Sequence, residues 1–444
     1  MQKTKKRKQY YKSILQNHPI YDDVLGCMEK ADKESLYNLV FMPVLVEFVS
    51  WVLEEAQKSK KKRLYFLARD GYQMYLVARR LCKTHNIPVE CRYLNVSRYS
   101  MRMPEYHLLK EKCVDYICTG GIDVTIERIM KRAGLEERLA QKYISSHSSE
   151  RLLNYKEIQD IKEELQVNAE FLEEVYQVSK SSYKPALQYL KQEGLMDGIS
   201  FALVDSGWVG TLQQSISHLI DRPDLEGYYF GLYEIPKNAN KERYHSFYFG
   251  PKDGILRKVD FSNCLFESIF TSPEGMTIGY EYENQRFVPK TDFHKNPNET
   301  QVTANCEHIE NYMDIYKMLI HNHEITHGKL NPSKKKRIAL VEKLLVKAMG
   351  YPTTWEVETY GDWLFSDDVL EGNLKKVAAE LTTQQIHSQR FVNKALIMLG
   401  KKDEELHESA WLEGSIVRNG ESIYSNLFHA KLYKLFVYIR KLLK

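Results

Sequence analysis

The chain has 444 residues, 43% of them hydrophobic, which is enough for two or three domains with sizeable cores. Its 63 basic and 59 acidic residues leave a net charge of +4, which argues against a nucleic-acid-binding protein with a wholly basic face. The seven cysteines contain no Cys-x-x-Cys pair, which argues against a disulfide framework and a structural zinc site.

The chain also lacks the patterns of export and membrane insertion. No apolar run approaches the roughly 18 residues of a membrane span, and no apolar segment follows the basic start "MQKTKKRKQYYK". We therefore expect a cytoplasmic protein with reduced cysteines. Both ends of the chain are basic without an acidic residue, so peripheral contact with the inner face of the cell membrane is an open alternative.

The first 60 residues are predicted to form helices. Apolar residues recur at helical spacing from Glu34 to Ala56, and Pro43 predicts a kink or break. The apolar run Leu64–Ala68 then predicts a strand that passes through a tight turn into an amphipathic helix. The turn contains Arg69, Asp70 and Gly71.

A second strand is predicted at Val89–Val96, and it ends in Ser97 and Arg98. Residues 101–195 have the charged, periodic pattern of a helical insertion. This insertion is expected to interrupt the sheet before its third strand.

A second strand–turn–helix unit follows the insertion. Its strand covers Phe201–Val204, its turn covers Asp205–Thr211, and its helix extends to about Ile220. Two β-rich runs, at residues 226–235 and 243–250, are expected to complete the sheet.

This order of elements predicts an α/β fold with a parallel sheet. Residues 61–100 and 196–290 would form the α/β core, and residues 301–444 would form a helical C-terminal domain after a polar linker. Parallel sheets bind ligands at the carboxyl ends of their strands, where both turns are predicted to lie.

The first turn has groups that suit a diphosphate. Arg69 can donate two parallel hydrogen bonds, and the N–H groups around Asp70 and Gly71 lie at the positive end of the following helix. Ser97 and Arg98, at the end of the neighbouring strand, are predicted to contribute to the same diphosphate site, with Arg98 as a second cation.

The second turn suits a phosphate monoester on a sugar. The N–H groups from Gly207 to Leu212, the Thr211 hydroxyl and the helix dipole can bind the phosphate, and Asp205 can hold sugar hydroxyls. The predicted site for ribose and its 5-phosphate comprises Asp205, Ser206, Gly207, Trp208, Val209, Gly210 and Thr211.

Together the two turns predict a ligand with a phosphate at one end, a diol and a diphosphate at the other. Phosphoribosyl diphosphate (PRPP) has this structure. Neither turn is specific alone, because glycine-containing turns commonly open helices in α/β proteins. The alternative that one or both turns serve only the architecture stays open.

The segments "FLARDGYQMYLVARRL", "NVSRYS" and "ALVDSGWVGTLQ" resemble the LARDG, SR and VDxGWxGTxQ motifs of phosphoribosyltransferase-like glycosyltransferases from bacterial surface-polysaccharide loci. The resemblance covers roughly Val40 to Tyr280. It implies a type I phosphoribosyltransferase-like core that transfers ribofuranose 5-phosphate from PRPP to a growing, lipid-linked glycan. A separate phosphatase of the haloacid dehalogenase type would then remove the 5-phosphate, since this chain has no D-x-D-x-[TV] signature.

Two residues depart from the type I phosphoribosyltransferase pattern. Where that pattern has two consecutive acidic residues, this chain has Asp205 and Ser206, so a single carboxylate would hold the diol. Asp70 stands in the diphosphate loop, where small residues are usual, and would lie close to the anomeric carbon. A sugar hydroxyl needs a base in order to attack, so we expect Asp70 to be the general base and Arg69 to stabilise the leaving diphosphate. The alternative, in which Asp70 caps the helix or orients Arg69, stays open.

The expected reaction is displacement at C1 with inversion. Mg²⁺ would be held by diphosphate and ribose oxygens, without a cluster of protein ligands. Glu267, in "NCLFESIFTSPEG", matches a segment of the resembled proteins and is expected near the acceptor; an exposed helix carboxylate is the alternative.

Other activities have weaker signals. No nucleotide-binding glycine loop is present, and "HEITH" at His323–His327 matches the zinc-protease pattern without a third ligand at the expected spacing. A nucleobase phosphoribosyltransferase and a non-catalytic PRPP-binding regulator or scaffold remain as alternatives. The apolar stripe from Leu427 to Leu443, with basic residues up to Lys444, predicts a helix that lies on anionic lipid or packs against the helical domain.

Overall fold

The computed structural model describes residues 2–120, 124–136, 139–144, 152–292, 295–327, 332–366, 374–399, 401–402 and 404–442. A five-stranded sheet lies at the centre, and all its neighbouring strands are parallel. The strands are β1 (Arg63–Leu67), β2 (Glu90–Leu94), β3 (Phe201–Trp208), β4 (Glu226–Leu232) and β5 (Tyr244–Phe249). Their spatial order is β2-β1-β3-β4-β5, which confirms the predicted α/β class with a parallel sheet.

Helices precede the first strand, as predicted. They are α1 (Gln2–Leu15), α2 (Pro19–Gly26), α3 (Lys30–Lys33) and α4 (Met42–Lys58), and a π-helical turn at Tyr37–Phe41 leads into α4. Pro43 lies in the first turn of α4, directly after the π-helical turn. The predicted break at Pro43 is therefore the start of α4. This helix packs against α5 (Gly71–His85), which follows β1.

The segment between β2 and β3 is helical, as predicted. It contains α6 (Arg98–Leu109), α7 (Val114–Ile117), α8 (Ile126–Ala133), α9 (Ala140–Tyr143), α10 (Tyr155–Val167) and α11 (Ala169–Gln192), with a 3₁₀ turn at Lys110–Cys113. After β3, α12 (Thr211–Leu219) packs against α6.

The region after β5 contains a hairpin that the sequence analysis did not predict. Helices α13 (Ile255–Val259) and α14 (Asn263–Ile269) come first, and then β6 (Thr277–Glu283) pairs with β7 (Arg286–Thr291) in antiparallel fashion. The hairpin packs on α11 through Tyr280, whose ring stacks on Tyr189 at 4.3 Å. This tertiary contact gives the exposed hairpin its apolar anchor.

The C-terminal segment is mainly helical, as predicted, but it also contains a short strand pair. The helices are α15 (Glu299–His327), α16 (Lys334–Leu345), α17 (Thr354–Tyr360), α18 (Thr383–Ser388), α19 (Phe391–Met398), α20 (Leu412–Asn419) and α21 (Ile423–Leu442), with a π-helical turn at Val346–Gly350. The strands β8 (Leu364–Phe365) and β9 (Lys375–Lys376) pair with each other. Leu443 and Lys444 lie outside the described residues.

Alternating side chains of β1 pack on opposite faces of the sheet. Leu64 and Phe66 belong to a core shared with the N-terminal and C-terminal helices. Tyr65 and Leu67 belong to a second core, formed with α11 and α12. The helices after β2 have a core of their own. None of the described helices is long and apolar enough to cross a lipid bilayer.

Candidate active site

A cleft of about 940 Å³ opens at the carboxyl ends of β1 and β3. The strand order reverses between these strands, because β2 lies beside β1 while β4 and β5 follow β3 on the other side. Open α/β sheets bind ligands in the crevice that forms at such a reversal. Every predicted site residue except Gly71 lines the cleft, namely Arg69, Asp70, Ser97, Arg98, Asp205, Ser206, Gly207, Trp208, Val209, Gly210, Thr211 and Glu267.

The first turn connects β1 directly to α5. The Ala68–Arg69 peptide bond in this turn is cis. Gly71 is required by packing, because a Cβ atom there would lie only 2.9 Å from the carbonyl carbon of Phe66. Gly71 therefore lets α5 start against β1 and so sets the position of Asp70, but it does not line the cleft.

Three polar residues, Asp70 from the first turn and Asp205 and Ser206 from β3, form a hydrogen-bonded group on the cleft wall. The buried Ser206 donates its hydroxyl to Oδ2 of Asp70. The backbone N–H of Ser206 donates to Oδ1 of Asp205 at 2.9 Å. Asp70 makes no capping hydrogen bond to α5, so the capping alternative is wrong. The alternative that Asp70 orients Arg69 stays open.

Burial raises the pKa values of both carboxyl groups. It raises the pKa of Asp70, although the Ser206 hydrogen bond and the charges of Arg69 and Arg98 oppose the change. Burial, followed by the nearby charge of Asp70, raises the pKa of Asp205 to about 8. Both directions favour a proton on this pair of carboxyl groups, above all on Asp205.

We expect the Asp205→Asn variant to be more stable than the wild type at alkaline pH. The pKa of Asp205 is higher in the folded state than in the unfolded state, so the folded state binds the proton more tightly. This stabilises the fold below the unfolded pKa of about 4, and the stabilisation is lost as the pH rises to the folded pKa of about 8. The amide cannot ionise. The free energy of unfolding of the variant should exceed that of the wild type by about 1–2 kcal/mol near pH 8.5, and by less near pH 5.

Urea unfolding, followed by tryptophan fluorescence at several pH values, would measure this difference. Asp115→Asn is a suitable control, because Asp115 also lines the cleft but pairs with Lys162 at 2.5 Å. A stability difference for Asp205→Asn that does not change with pH would contradict the raised pKa of Asp205.

The second turn is shorter than predicted, because β3 continues through Trp208. Asp205, Gly207 and Trp208 all pair with β4. Gly207 has a φ of +114°, and a Cβ atom there would lie 2.4 Å from the carbonyl oxygen of Gly231, so only glycine keeps the strands paired. The backbone available to a phosphate is therefore the short turn before α12 and the first turn of that helix.

A buried arginine that the sequence analysis did not predict lies beside the start of α12. Arg102, on α6, lines the cleft and is only 6% exposed. Its Nη2 donates to Oγ1 of Thr211 at 2.6 Å, and its guanidinium lies 4.4 Å from the ring centroid of Tyr116. Its Nε has no hydrogen-bond partner, and no acidic side chain in the described part of the chain forms an ion pair with Arg102.

A buried cation without a counterion is unfavourable by several kcal/mol. Burial, followed by the charge of Arg98, lowers the pKa of Arg102 to about 10. Thr211 is the first residue of α12, so the free N–H groups and the positive end of this helix lie at the same place. An anion bound here would remove the electrostatic cost, which makes this corner of the cleft well suited to a phosphate.

Arg98 supplies positive charge beside both carboxylates. Its side chain is exposed in the cleft, and its charge acts to lower the pKa values of Asp70, Asp205 and Arg102. Arg98 and Arg102 are four residues apart on α6 and therefore share one helix face. This spacing was the signal in the sequence that could have identified Arg102.

Ser97 has a structural position in the cleft wall. It caps α6, because its Oγ accepts a hydrogen bond from the N–H of Ser100 at 2.9 Å. The same hydroxyl donates to the carbonyl oxygen of Thr277 at 2.6 Å. With its only hydroxyl proton already donated, we expect Ser97 to position Arg98 and not to donate to a diphosphate.

Trp208 and Glu267 connect the end of β3 to α14. Nε1 of Trp208 donates to Oε1 of Glu267, and the indole ring packs on Phe261 and Phe266 with centroid distances of 5.4 and 5.8 Å. Glu267 is partly buried, so the alternative of an exposed helix carboxylate is wrong. Its hydrogen bond to Trp208 fixes the direction of the carboxylate in the cleft.

The cleft continues along a wall that the sequence analysis did not predict. This wall contains residues 234–238 after β4, residues 296–298 and the strand β8. Asn298 holds β8 in place, because its amide group exchanges two 2.8 Å hydrogen bonds with the backbone of Leu364. The cleft volume is at the upper end for ligand pockets, which leaves room for a second substrate.

No cluster of three or more histidine, cysteine, aspartate or glutamate side chains that could hold a metal ion occurs among the described residues. In the "HEITH" segment, His323 is buried within α15. The expectation that the substrate's own oxygens hold Mg²⁺ stays a prediction.

Comparison of the chain with models of known protein families gives no match. Comparison with curated proteins gives no significant match. Inference about function therefore rests on the sequence and on the geometry of the cleft.

Proposed function

We propose that this chain is a PRPP-dependent glycosyltransferase of the phosphoribosyltransferase type. It would transfer 5-phosphoribofuranose to a hydroxyl group of a lipid-linked polysaccharide acceptor and release diphosphate. The observation that carries the proposal is a single cleft, lined by both turns, in which two carboxylates share the walls with Arg69, Arg98 and the buried Arg102.

Each part of PRPP has a matching feature in this cleft. We assign the 5-phosphate to the start of α12, where Arg102 donates to Thr211 and has no ion pair among the described residues. We assign the diphosphate to Arg69 and Arg98, whose guanidinium groups can each donate two parallel hydrogen bonds. Asp205 would then accept hydrogen bonds from the ribose hydroxyls.

The fold is compatible with this assignment. A type I phosphoribosyltransferase-like core requires a parallel α/β sheet with its loops converging at one end, and the order β2-β1-β3-β4-β5 meets this requirement. The helices between β2 and β3 would be an insertion into that core. They contribute Tyr116, which packs on Arg102, to the proposed phosphate site.

In the proposed reaction, an acceptor oxygen attacks C1 of the ribose. The new bond from C1 to the acceptor oxygen forms as the bond from C1 to the diphosphate oxygen breaks, and attack from the opposite face inverts C1. Asp70 takes the proton of the acceptor hydroxyl. Ser206 holds the Asp70 carboxylate in place through its hydrogen bond, and Arg69 stabilises charge on the leaving diphosphate.

Mg²⁺ bound to the diphosphate and ribose oxygens would neutralise part of the leaving group's charge. Glu267 would lie on the acceptor side of the cleft, directed by Trp208. If Asp70 does not act as the base, Glu267 is the carboxylate that could take its place. The pKa of Asp70 is raised, so a reaction that uses it as a base should accelerate as the pH rises through that pKa.

Incubation with PRPP, Mg²⁺ and a panel of synthetic glycans tests the proposal. Mass spectrometry should detect the addition of one pentose phosphate to an acceptor, and diphosphate release should require that acceptor. A parallel reaction with ribose 5-phosphate in place of PRPP is the control, because it lacks the leaving group and should give no product.

The same experiment separates the alternatives. Diphosphate release with a purine or pyrimidine would indicate a nucleobase phosphoribosyltransferase. Saturable PRPP binding without release under any condition would indicate a regulator or scaffold. The proposed product keeps its 5-phosphate, so a separate phosphatase of the haloacid dehalogenase type would act next, in the cytoplasm or at the inner face of the membrane.

A further inference from the structure

The C-terminal helix α21 leaves an apolar stripe exposed along its length. Tyr424 is 89% exposed and Phe428 is 63% exposed, and the stripe continues toward the end of the helix through Phe436, Ile439 and Leu442. Neighbouring side chains of α19 add exposed apolar surface, namely Val392 and Met398. Contacts between Phe391 and Phe436 join the two helices at this surface. We call these residues of α19 and α21 the apolar face.

Ion pairs hold α21 with this face directed outward. Lys431 pairs with Asp260, Lys434 pairs with Glu413 at 2.6 Å, and Lys441 pairs with Glu234 at 2.5 Å. The sequence stripe predicted an apolar face but did not show which side of the helix would face the protein. Three lysines of α21 contact acidic residues on other parts of the protein, and the apolar face points away from them. The apolar face is therefore exposed and available to a partner.

From this arrangement we propose that the apolar face docks on an anionic lipid bilayer. Neither α19 nor α21 contains an acidic residue, and Arg440 is exposed beside Ile439. An apolar helix face with an exposed arginine beside it, no acidic residue on its helices and aromatic side chains near its edge resembles helices that lie in the interface of anionic membranes. Pairing of two copies through this face would instead place the exposed Arg440 against helices that contain no acidic partner for it.

The C-terminal part of α21 lies next to the cleft wall. Glu234, which pairs with Lys441, lines the cleft wall. One turn earlier, Tyr438 stacks on Tyr233 with a centroid distance of 5.7 Å, and Tyr233 packs on Trp208. This inference rests on the proposed function and deepens it, because a bilayer at the apolar face would present a lipid-linked acceptor to the acceptor side of the cleft.

Vesicle binding tests the proposal without any glycan. The wild type should sediment with vesicles of phosphatidylcholine and phosphatidylglycerol. The combined variant Tyr424→Ser, Phe428→Ser and Ile439→Ser should bind at least about tenfold more weakly, because it removes apolar area from the face. The matched control combines Leu152→Ser, Tyr155→Ser and Val167→Ser, which remove exposed apolar side chains on and near α10, and it should bind as the wild type does.

Three results would overturn the proposal. The wild type could fail to bind these vesicles, or the control variant could lose vesicle binding as much as the α21 variant does. The wild type could also be a dimer and the α21 variant a monomer, with no vesicle binding by either. Calorimetric titration with PRPP, on the same three proteins, separates this proposal from the proposed function. Vesicle binding without PRPP binding would support the membrane-docking proposal and contradict the proposed function. PRPP binding without vesicle binding would support PRPP as a ligand and contradict membrane docking.

Discussion

Replacing Arg102 with methionine is expected to weaken PRPP binding by at least about 100-fold, since a charge-assisted contact to a buried phosphate would be lost. The same change should leave the free protein as stable as the wild type or more stable. Arg102 is buried, its Nε has no partner, and no ion pair compensates its charge within the described residues. An apolar side chain of similar length removes this electrostatic cost.

Isothermal titration calorimetry with PRPP and Mg²⁺ would measure the affinity, and thermal unfolding without ligand would measure stability. Arg79→Met is the matched control, because Arg79 also lies over a tyrosine ring, that of Tyr75, but does not line the cleft. Inorganic diphosphate provides a second comparison. It lacks the 5-phosphate, so its affinity should be the same for Arg102→Met and the wild type.

Two results would contradict this assignment. A parallel loss of affinity for inorganic diphosphate would show that Arg102 contacts the other end of the ligand. Lower stability of Arg102→Met in the absence of ligand would show that its hydrogen bond to Thr211 and its contact with Tyr116 outweigh the cost of burying its charge.

The Asp70→Asn variant is expected to bind PRPP within a few-fold of the wild type but to lose about 10³-fold in kcat, because a general base contributes roughly 10² to 10⁴. An asparagine carbonyl can still accept the hydrogen bond from Ser206, so the turn should keep its geometry. The amide cannot take a proton from the acceptor hydroxyl. Rates of diphosphate release and calorimetric titration would separate these two effects.

The pH dependence of turnover distinguishes a catalytic role of Asp70 from a structural one, because loss of a structural contact would not alter the shape of the pH profile. Turnover of the wild type should rise as the pH passes through the raised pKa of Asp70, and the residual activity of Asp70→Asn should lack that rise. Asp115→Asn is again the control, because Asp115 lines the cleft and pairs with Lys162 but is not hydrogen-bonded to Asp70 or Asp205.

Glu267→Gln distinguishes the two candidate bases. Its amide oxygen can still accept the hydrogen bond from Trp208, so the variant tests the charge of Glu267 and not its packing. If Glu267→Gln loses more turnover than Asp70→Asn and also removes the pH dependence, the base would be Glu267. Full activity of Asp70→Asn would exclude Asp70 as the base.

Much of the site was predictable because its features are local in sequence. The strand–turn–helix pattern around Arg69 and Asp70 follows from an apolar run, a glycine and an amphipathic helix that are consecutive in the chain. Asp205 and Thr211 line the same cleft as this turn. This was predictable because parallel strands bring all their carboxyl ends to one edge of the sheet.

Other features depended on contacts between distant segments. Arg102 is 109 residues from Thr211, and only folding reveals that no acidic side chain of the described residues pairs with it. Ser97 looked like a ligand in sequence, but its hydroxyl is used by Ser100 and by the carbonyl of Thr277. The length of β3 was underestimated because its pairing with β4, and not its hydrophobicity, continues the strand to Trp208.

The sequence by itself predicted the α/β class and the approximate positions of the five parallel strands, because backbone geometry and side-chain periodicity are set by neighbouring residues. Only the tertiary structure decided which polar groups are already satisfied, that Arg102 is buried without an ion pair among the described residues, and which side of α21 faces outward. These properties depend on burial and on partners far away in the chain. A local pattern therefore does not contain them.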